Sequence, residues 1–176
     1  MKTVVCFGDS NTWGYIPGSG GERFPREQRW PVILQRELGD AWDVIAEGLS
    51  GRTATIDRPD SEGRNGLPYF LPCLLSHAPL DAVVIFLGTN DVNYIDDDRV
   101  ARCVWRLAEI AKRHAPTVLA VCPAPFAGHD LEASFRAELD CEVIVAPPYP
   151  VVNDDPEHLD AAGHEALAQA VAAHLR

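Results

Sequence analysis

Apolar residues fall into two patterns that alternate along the chain. Five short runs, residues 3–7, 42–46, 82–87, 117–122 and 142–146, are almost continuously apolar. Strands with one wet face alternate apolar and polar positions, so continuous runs predict strands covered on both faces, as in a parallel sheet. The segments between the runs carry helical spacing. The clearest, residues 96–115, places Val100, Cys103, Val104, Leu107 and Ala111 on one face. Asp96, Asp97 and Asp98 crowd its start and Lys112, Arg113 and His114 its end, which suits the helix dipole, and Pro116 stops it. Weaker periodicity predicts helices over 30–38, 67–76, 131–139 and 161–174, the last capped by Asp160. Strand and helix alternate to the end, so the expected architecture is α/β, a parallel sheet between helical layers.

Composition narrows the picture. At 176 residues, with 47% hydrophobic and 23% charged positions, the chain suits one domain spanning 1–176 with its own core. It shows no repeat, linker or low-complexity tract. A net charge of -11 without a basic tract argues against nucleic acid and an anionic membrane surface as partners. The five cysteines lack a C-x-x-C pair, and most sit within apolar runs. They read as buried free thiols in a reducing compartment rather than a disulfide framework. The first apolar run ends at Gly8 and Asp9, too short for a signal peptide, and no stretch reaches the length of a membrane span. A cytoplasmic protein is the expectation.

In an open parallel sheet, ligands bind beyond the carboxyl ends of the strands. The first run is followed by Gly8-Asp9-Ser10-Asn11-Thr12-Trp13-Gly14, the second by Glu47-Gly48-Leu49-Ser50-Gly51-Arg52-Thr53, and the third by Gly88-Thr89-Asn90-Asp91. After the fifth comes Asn153-Asp154-Asp155-Pro156-Glu157-His158. One rim thus carries the groups that acyl transfer requires. A serine hydroxyl (Ser10) needs a base to take its proton, and an imidazole (His158) suits that task. A carboxylate three residues before it (Asp155) fixes the imidazole tautomer. A close-approaching glycine N–H (Gly51), the Asn90 amide and the Ser10 N–H, at a strand-to-helix turn, are candidate donors to a developing oxyanion.

Each piece also has a plainer reading. Gly-Asp-Ser serves as a turn with Asp9 as a cap, Gly51 as a loop glycine, Asn90-Asp91 as a turn, and Asp155 with His158 as a surface pair. Asp154 competes with Asp155 but is one residue out of step, and Ser50 lacks a G-x-S-x-G elbow. Asp9, Asp91, Asp155 and His158 match no spaced zinc or calcium motif, so no metal is expected.

Together the four blocks resemble those of the SGNH, or GDSL, hydrolases, a family named for its invariant Ser, Gly, Asn and His. The similarity covers nearly the whole chain in the right order. The run Glu47 to Thr53 is closest to the arylesterase/acyltransferase branch, and Val118 to Pro125 resembles it more loosely. The resemblance implies a three-layer flavodoxin-like fold with strand order 2-1-3-4-5. It implies Ser10 as nucleophile, Asp155 and His158 as acid and base, Ser10, Gly51 and Asn90 as oxyanion donors, and no cofactor. Asn11 stands where many members have Leu, which would alter the pocket wall, and the chain between Phe126 and Pro150 is short. Asn11, Trp13, Tyr94 and Phe126 are the expected substrate contacts.

The expected function is hydrolysis of small carboxylic esters, or transfer of their acyl group, with water or an alcohol as acceptor. A carbohydrate O-acetylesterase or thioesterase would use the same triad, and a metal-dependent phosphoesterase is a further rival. A flavodoxin-like module cradling phosphate or nucleotide on Ser10, Asn11 and Thr12 would have no use for Asp155 and His158. Whether copies of the chain form a homo-oligomer is left open.

Overall fold

In the computed structural model, which describes residues 1–176, the apolar runs become β1 (Lys2–Gly8), β2 (Trp42–Gly48), β3 (Ala82–Phe86), β4 (Thr117–Cys122) and β5 (Glu142–Val145). They form one parallel sheet in the order β2-β1-β3-β4-β5. The helices are α1 (Ser10–Trp13), α2 (Trp30–Leu38), α3 (Leu67–Ser76), α4 (Asp97–Ala111), α5 (Glu132–Glu138) and α6 (Ala161–Leu175). Residues of α3, α4 and α5 pack on one face of the sheet, and residues of α2 and α6 on the other. Alternate side chains of β1 serve the two layers: Val5 and Phe7 face α3, while Val4 and Cys6 face α2 and α6. This is the expected three-layer arrangement.

The differences are local. The edge strand β2 is not covered on both faces, since Asp43 is exposed and Val44, Ile45 and Glu47 are half-buried. The helix expected over 96–115 ends at Ala111, and its last turn tightens, with Arg113 N–H donating to Ile110 O and His114 N–H to Ala111 O. Such i→i+3 bonds satisfy carbonyls at a helix end where Pro116 forbids further winding. Asp160 caps α6 as expected, accepting from Gly163 N–H at 2.7 Å. The short stretch after β4 makes only a tight turn at Phe126–His129 and the two turns of α5 before β5. No helix is long and apolar enough to cross a membrane.

Candidate active site

Ser10 opens the single turn of α1 directly beyond β1. Asp9 caps that turn by accepting from Asn11 N–H at 2.9 Å, and Gly14 closes it in the left-handed region. The fold-back is possible because Gly8 has no side chain: a Cβ there would collide with the Thr12 side chain and lie 2.8 Å from the Phe86 carbonyl. Ser10 is thereby held 4% exposed, with its hydroxyl 2.9 Å from His158 Nε2.

His158 arrives from the far end of the chain. Before it, Asn153 and Asp154 both adopt positive φ, and Val152 and Asp155 exchange backbone hydrogen bonds around them. Two successive left-handed residues make the type I′ geometry that Asn and Asp tolerate. That turn leaves Asp154 exposed and brings Asp155 to the imidazole, its oxygens 2.8 and 2.9 Å from His158 Nδ1. Asp155 also accepts from Gly18 N–H at 2.9 Å and Glu157 N–H at 3.2 Å. Burial works against its charge, but the Gly18 and His158 hydrogen bonds outweigh this and hold the carboxyl below the usual range. The Tyr15 ring stacks on the imidazole, with centroids 4.2 Å apart and planes inclined by 25°.

Asn11 differs from expectation. It is 1% exposed and forms no pocket wall. Its Nδ2 donates to Glu157 O at 3.0 Å and its Oδ1 accepts from Leu159 N–H at 2.8 Å, so one amide grips the backbone on both sides of His158. Leucine could make neither bond.

On the other side of Ser10, Asn90 Nδ2 donates to Arg52 O at 3.1 Å and approaches Asp9 Oδ2 at 3.5 Å, too far for a strong second bond. Gly51 sits at φ +77 with an N–H that has no acceptor within the chain. The loop carrying it is tied to the sheet by Asp91, whose two oxygens accept from Ala54 N–H at 2.9 and 3.1 Å. It is tied also by the buried Arg52, which donates to the carbonyls of Gly8 and Glu47 and lies over the Phe7 ring. Burial pushes Asp9 up to about 7 and Asp91 up to about 6, against the opposing pull of their backbone hydrogen bonds. Asp9, Asp91, Asp155 and His158 do not converge as metal donors. The one cluster that does is Glu47, Cys73 and His77, where Glu47 already pairs with His77 at 3.0 Å.

Of the expected apolar contacts, Trp13 is half-buried beneath the Arg23 guanidinium, 4.6 Å from its ring centre. Tyr94 is on the surface, 37% exposed, with its hydroxyl on Asp60 at 3.0 Å. Phe126 is 6% exposed and packs against His129 and Tyr149, so it is a wall of the fold rather than an open rim. An open hollow of about 490 Å³ lies on the far side of His158, lined by Tyr15, Gly18, Asn153 and Asp155 among others. No hollow includes Ser10. Sequence reasoning singled out none of Tyr15, Gly18, Arg58 and Arg64: the stretches 18–26 and 57–66 read only as polar loops on the rim of a site, and the carbonyls that the two arginines hold are backbone atoms that no side-chain pattern marks.

Comparison with known proteins identifies the family. Residues 6–176 match the model of the GDSL-like Lipase/Acylhydrolase family. A carbohydrate acetylesterase from Sinorhizobium meliloti superposes with a TM-score of 0.90 at 32% identity, over 99% of this chain and 98% of that one. The aryl esterase of M. smegmatis superposes with a TM-score of 0.86 at 30% identity, over 100% of this chain and 99% of that one. Among curated proteins there is no match.

Proposed function

Since the chain belongs to the GDSL-like lipase/acylhydrolase family and is an esterase of the SGNH type, we propose that it cleaves small acyl esters through a Ser10–His158–Asp155 triad and an acyl-enzyme on Ser10. One observation carries this reading: an unbroken chain of contacts from the Ser10 hydroxyl through both imidazole nitrogens to Asp155, at 2.9 and 2.8 Å, joining groups 148 residues apart.

In this mechanism His158 Nε2 takes the Ser10 proton as Oγ attacks the ester carbonyl carbon. Asp155, held ionised by its hydrogen bonds, stabilises the resulting imidazolium. The negative oxygen of the tetrahedral intermediate rests on the Gly51 N–H, the Asn90 amide and the Ser10 N–H. That last group, in the first turn of α1, has no intrahelical acceptor. His158 then returns its proton to the leaving alcohol or phenol oxygen. Water, or a second alcohol, repeats the attack on the acyl-enzyme and frees Ser10.

Acetyl esters of sugars and esters of phenols are the substrate classes we favour, because the two similar structures are by name a carbohydrate acetylesterase and an aryl esterase. Parallel assays on an aryl acetate, an acetylated sugar and an acyl thioester test the reading. Turnover of at least one acetyl ester is expected, falling by about 10⁴ or more in Ser10→Ala. Retention of most activity by that variant would remove Ser10 from the mechanism.

A further inference from the structure

The loop bearing Gly51 hangs from arginines rather than from a regular element. We propose that Arg64 is a positioning residue for the oxyanion site, fixing and polarising the Ser50–Gly51 peptide so that the Gly51 N–H faces the substrate. The inference rests on Gly51 being an oxyanion donor, as in the mechanism above.

Arg64 Nη1 donates to the Ser50 carbonyl oxygen at 2.6 Å, and its Nε to Ser61 Oγ at 3.1 Å. The Ser50 carbonyl and the Gly51 N–H belong to one planar trans peptide and point in opposite directions. Anchoring the oxygen on Arg64 therefore sends the N–H to the other side of the loop. Neighbouring amides are engaged internally: Arg52 N–H donates to Leu49 O and Thr53 N–H to Arg64 O, both at 3.0 Å, while the Gly51 N–H is free.

Glycine tolerates the peptide in either orientation, so a partner on the Ser50 carbonyl can hold the one that the turn from Leu49 to Arg52 adopts. The next carbonyl, Gly51 O, accepts from Arg58 Nη1 at 3.0 Å, so both carbonyls flanking the Gly51 N–H end on guanidinium groups. A Cβ on Gly51 would lie 2.7 Å from that Arg58 nitrogen. The two arginines differ in one respect. Arg58 is neutralised by Asp60 at 2.6 Å, whereas Arg64 has no carboxylate within ion-pair distance. A charged donor on a carbonyl oxygen draws electron density through the amide and makes its N–H a stronger donor. Arg64 is thus placed to act on transition-state stabilisation through the peptide it holds, without touching substrate.

The test compares Arg64→Gln and Arg64→Lys with the parent chain. An aryl carbamate transfers its carbamoyl group to the Ser10 oxygen and releases the phenol, leaving a slowly hydrolysed acyl-enzyme. The infrared frequency of its ¹³C-labelled carbonyl reads hydrogen bonding to the oxygen directly. In Arg64→Gln the frequency is expected to rise. Its kcat on an aryl acetate is expected to fall roughly 10- to 100-fold with little change in KM, and its melting temperature to stay near the parent's. Arg64→Lys, which keeps the charge but not the fork, should lie between the two in both readouts. It carries the test if Arg64→Gln does not fold. An unchanged carbonyl frequency and kcat in a folded variant would overturn the role of Arg64. Failure of the parent chain to be carbamoylated on Ser10 would instead overturn the underlying mechanism.

Discussion

The two sides of Ser10 are built from different materials. On the base side, side chains hold side chains: Asp155 aligns His158, Tyr15 covers its ring, and Asn11 ties the backbone before and after it to the turn that presents Ser10. On the side proposed to hold the oxyanion, the candidate donors are mostly backbone, and what fixes them is charge placed on carbonyl oxygens by Arg52, Arg58 and Arg64 and on Ala54 N–H by Asp91. The base side has its hydrogen bonds made before substrate arrives. The oxyanion side keeps the Gly51 N–H vacant, and a vacant backbone donor must be prevented from turning towards some other acceptor. Rigid side-chain packing serves the first purpose, and a loop suspended on cations serves the second.

Substitutions should separate the two sides by size of effect. The largest belongs to the base side. Asp155→Asn keeps the shape of the side chain but removes the charge that stabilises the imidazolium. It is expected to lower kcat on an aryl acetate by about 10³ to 10⁴. Less than a tenfold loss would show that Asp155 serves only structure. Next comes Asn90→Ala, which removes one of several oxyanion donors and is expected to cost about 10² to 10³ in kcat with KM nearly unchanged. A loss confined to KM would place Asn90 in ground-state binding.

The unequal legibility of the two sides in sequence follows from the same contrast. Ser10, Asp155 and His158 stood out because side-chain chemistry has few residue types to draw on. The i,i+3 spacing of Asp155 and His158 also distinguished Asp155 from Asp154 before the I′ turn was visible. The sheet was legible because β1, β3 and β4 are apolar on both faces, whereas the half-exposed edge strand β2 departed from that rule. Asn11 was misread as a pocket wall because its partners, Glu157 O and Leu159 N–H, lie about as far away in sequence as the chain allows and are backbone atoms. Arg58 and Arg64 escaped notice because the carbonyls they hold, Gly51 O and Ser50 O, are backbone atoms that leave no mark in the residue pattern. Phe126 is an expected substrate contact in sequence, but its burial comes from contacts with His129 and Tyr149 that the pattern does not reveal.

Asn11→Leu sharpens the comparison from the base side. It leaves the Glu157 carbonyl and the Leu159 N–H without partners, so a stability loss of about 1–3 kcal/mol is expected in a urea titration. A fall in kcat of roughly tenfold should accompany it as His158 loses its register with Ser10. Unchanged stability would mean that the loop finds other partners.

The smallest expected effect is on stability against pH. Asp9 and Asp91 have pKa values raised to about 7 and about 6, so the folded chain binds these protons more tightly than the unfolded chain. Their contribution is full in acid and lost as pH rises through about 6 to 7. His164, buried with Nδ1 accepting from Trp30 N–H, is lowered from 6.5 to about 4, chiefly by burial, and the Asp155 carboxyl is lowered as well. The His164 contribution is lost as pH falls from 6.5 towards about 4, and that of Asp155 only as pH falls below the ordinary carboxylate value of 3.8. The two contributions oppose each other over one range, and with two carboxyls set against one imidazole, urea midpoints should fall as pH rises from about 4 to about 7. Asp91→Asn should flatten that fall, by at most about 1–2 kcal/mol. Identical curves for the two chains would remove Asp91 from the pH response.

The most direct test of the Ser10 assignment is the mass of the intact chain after exposure to an organophosphonate, followed by mapping of the modified peptide. A single adduct on the peptide carrying Ser10, formed in step with loss of esterase activity and abolished in His158→Ala, is the result expected of an imidazole-activated serine. Activity that survives complete labelling, or an adduct that settles on another residue, would contradict it.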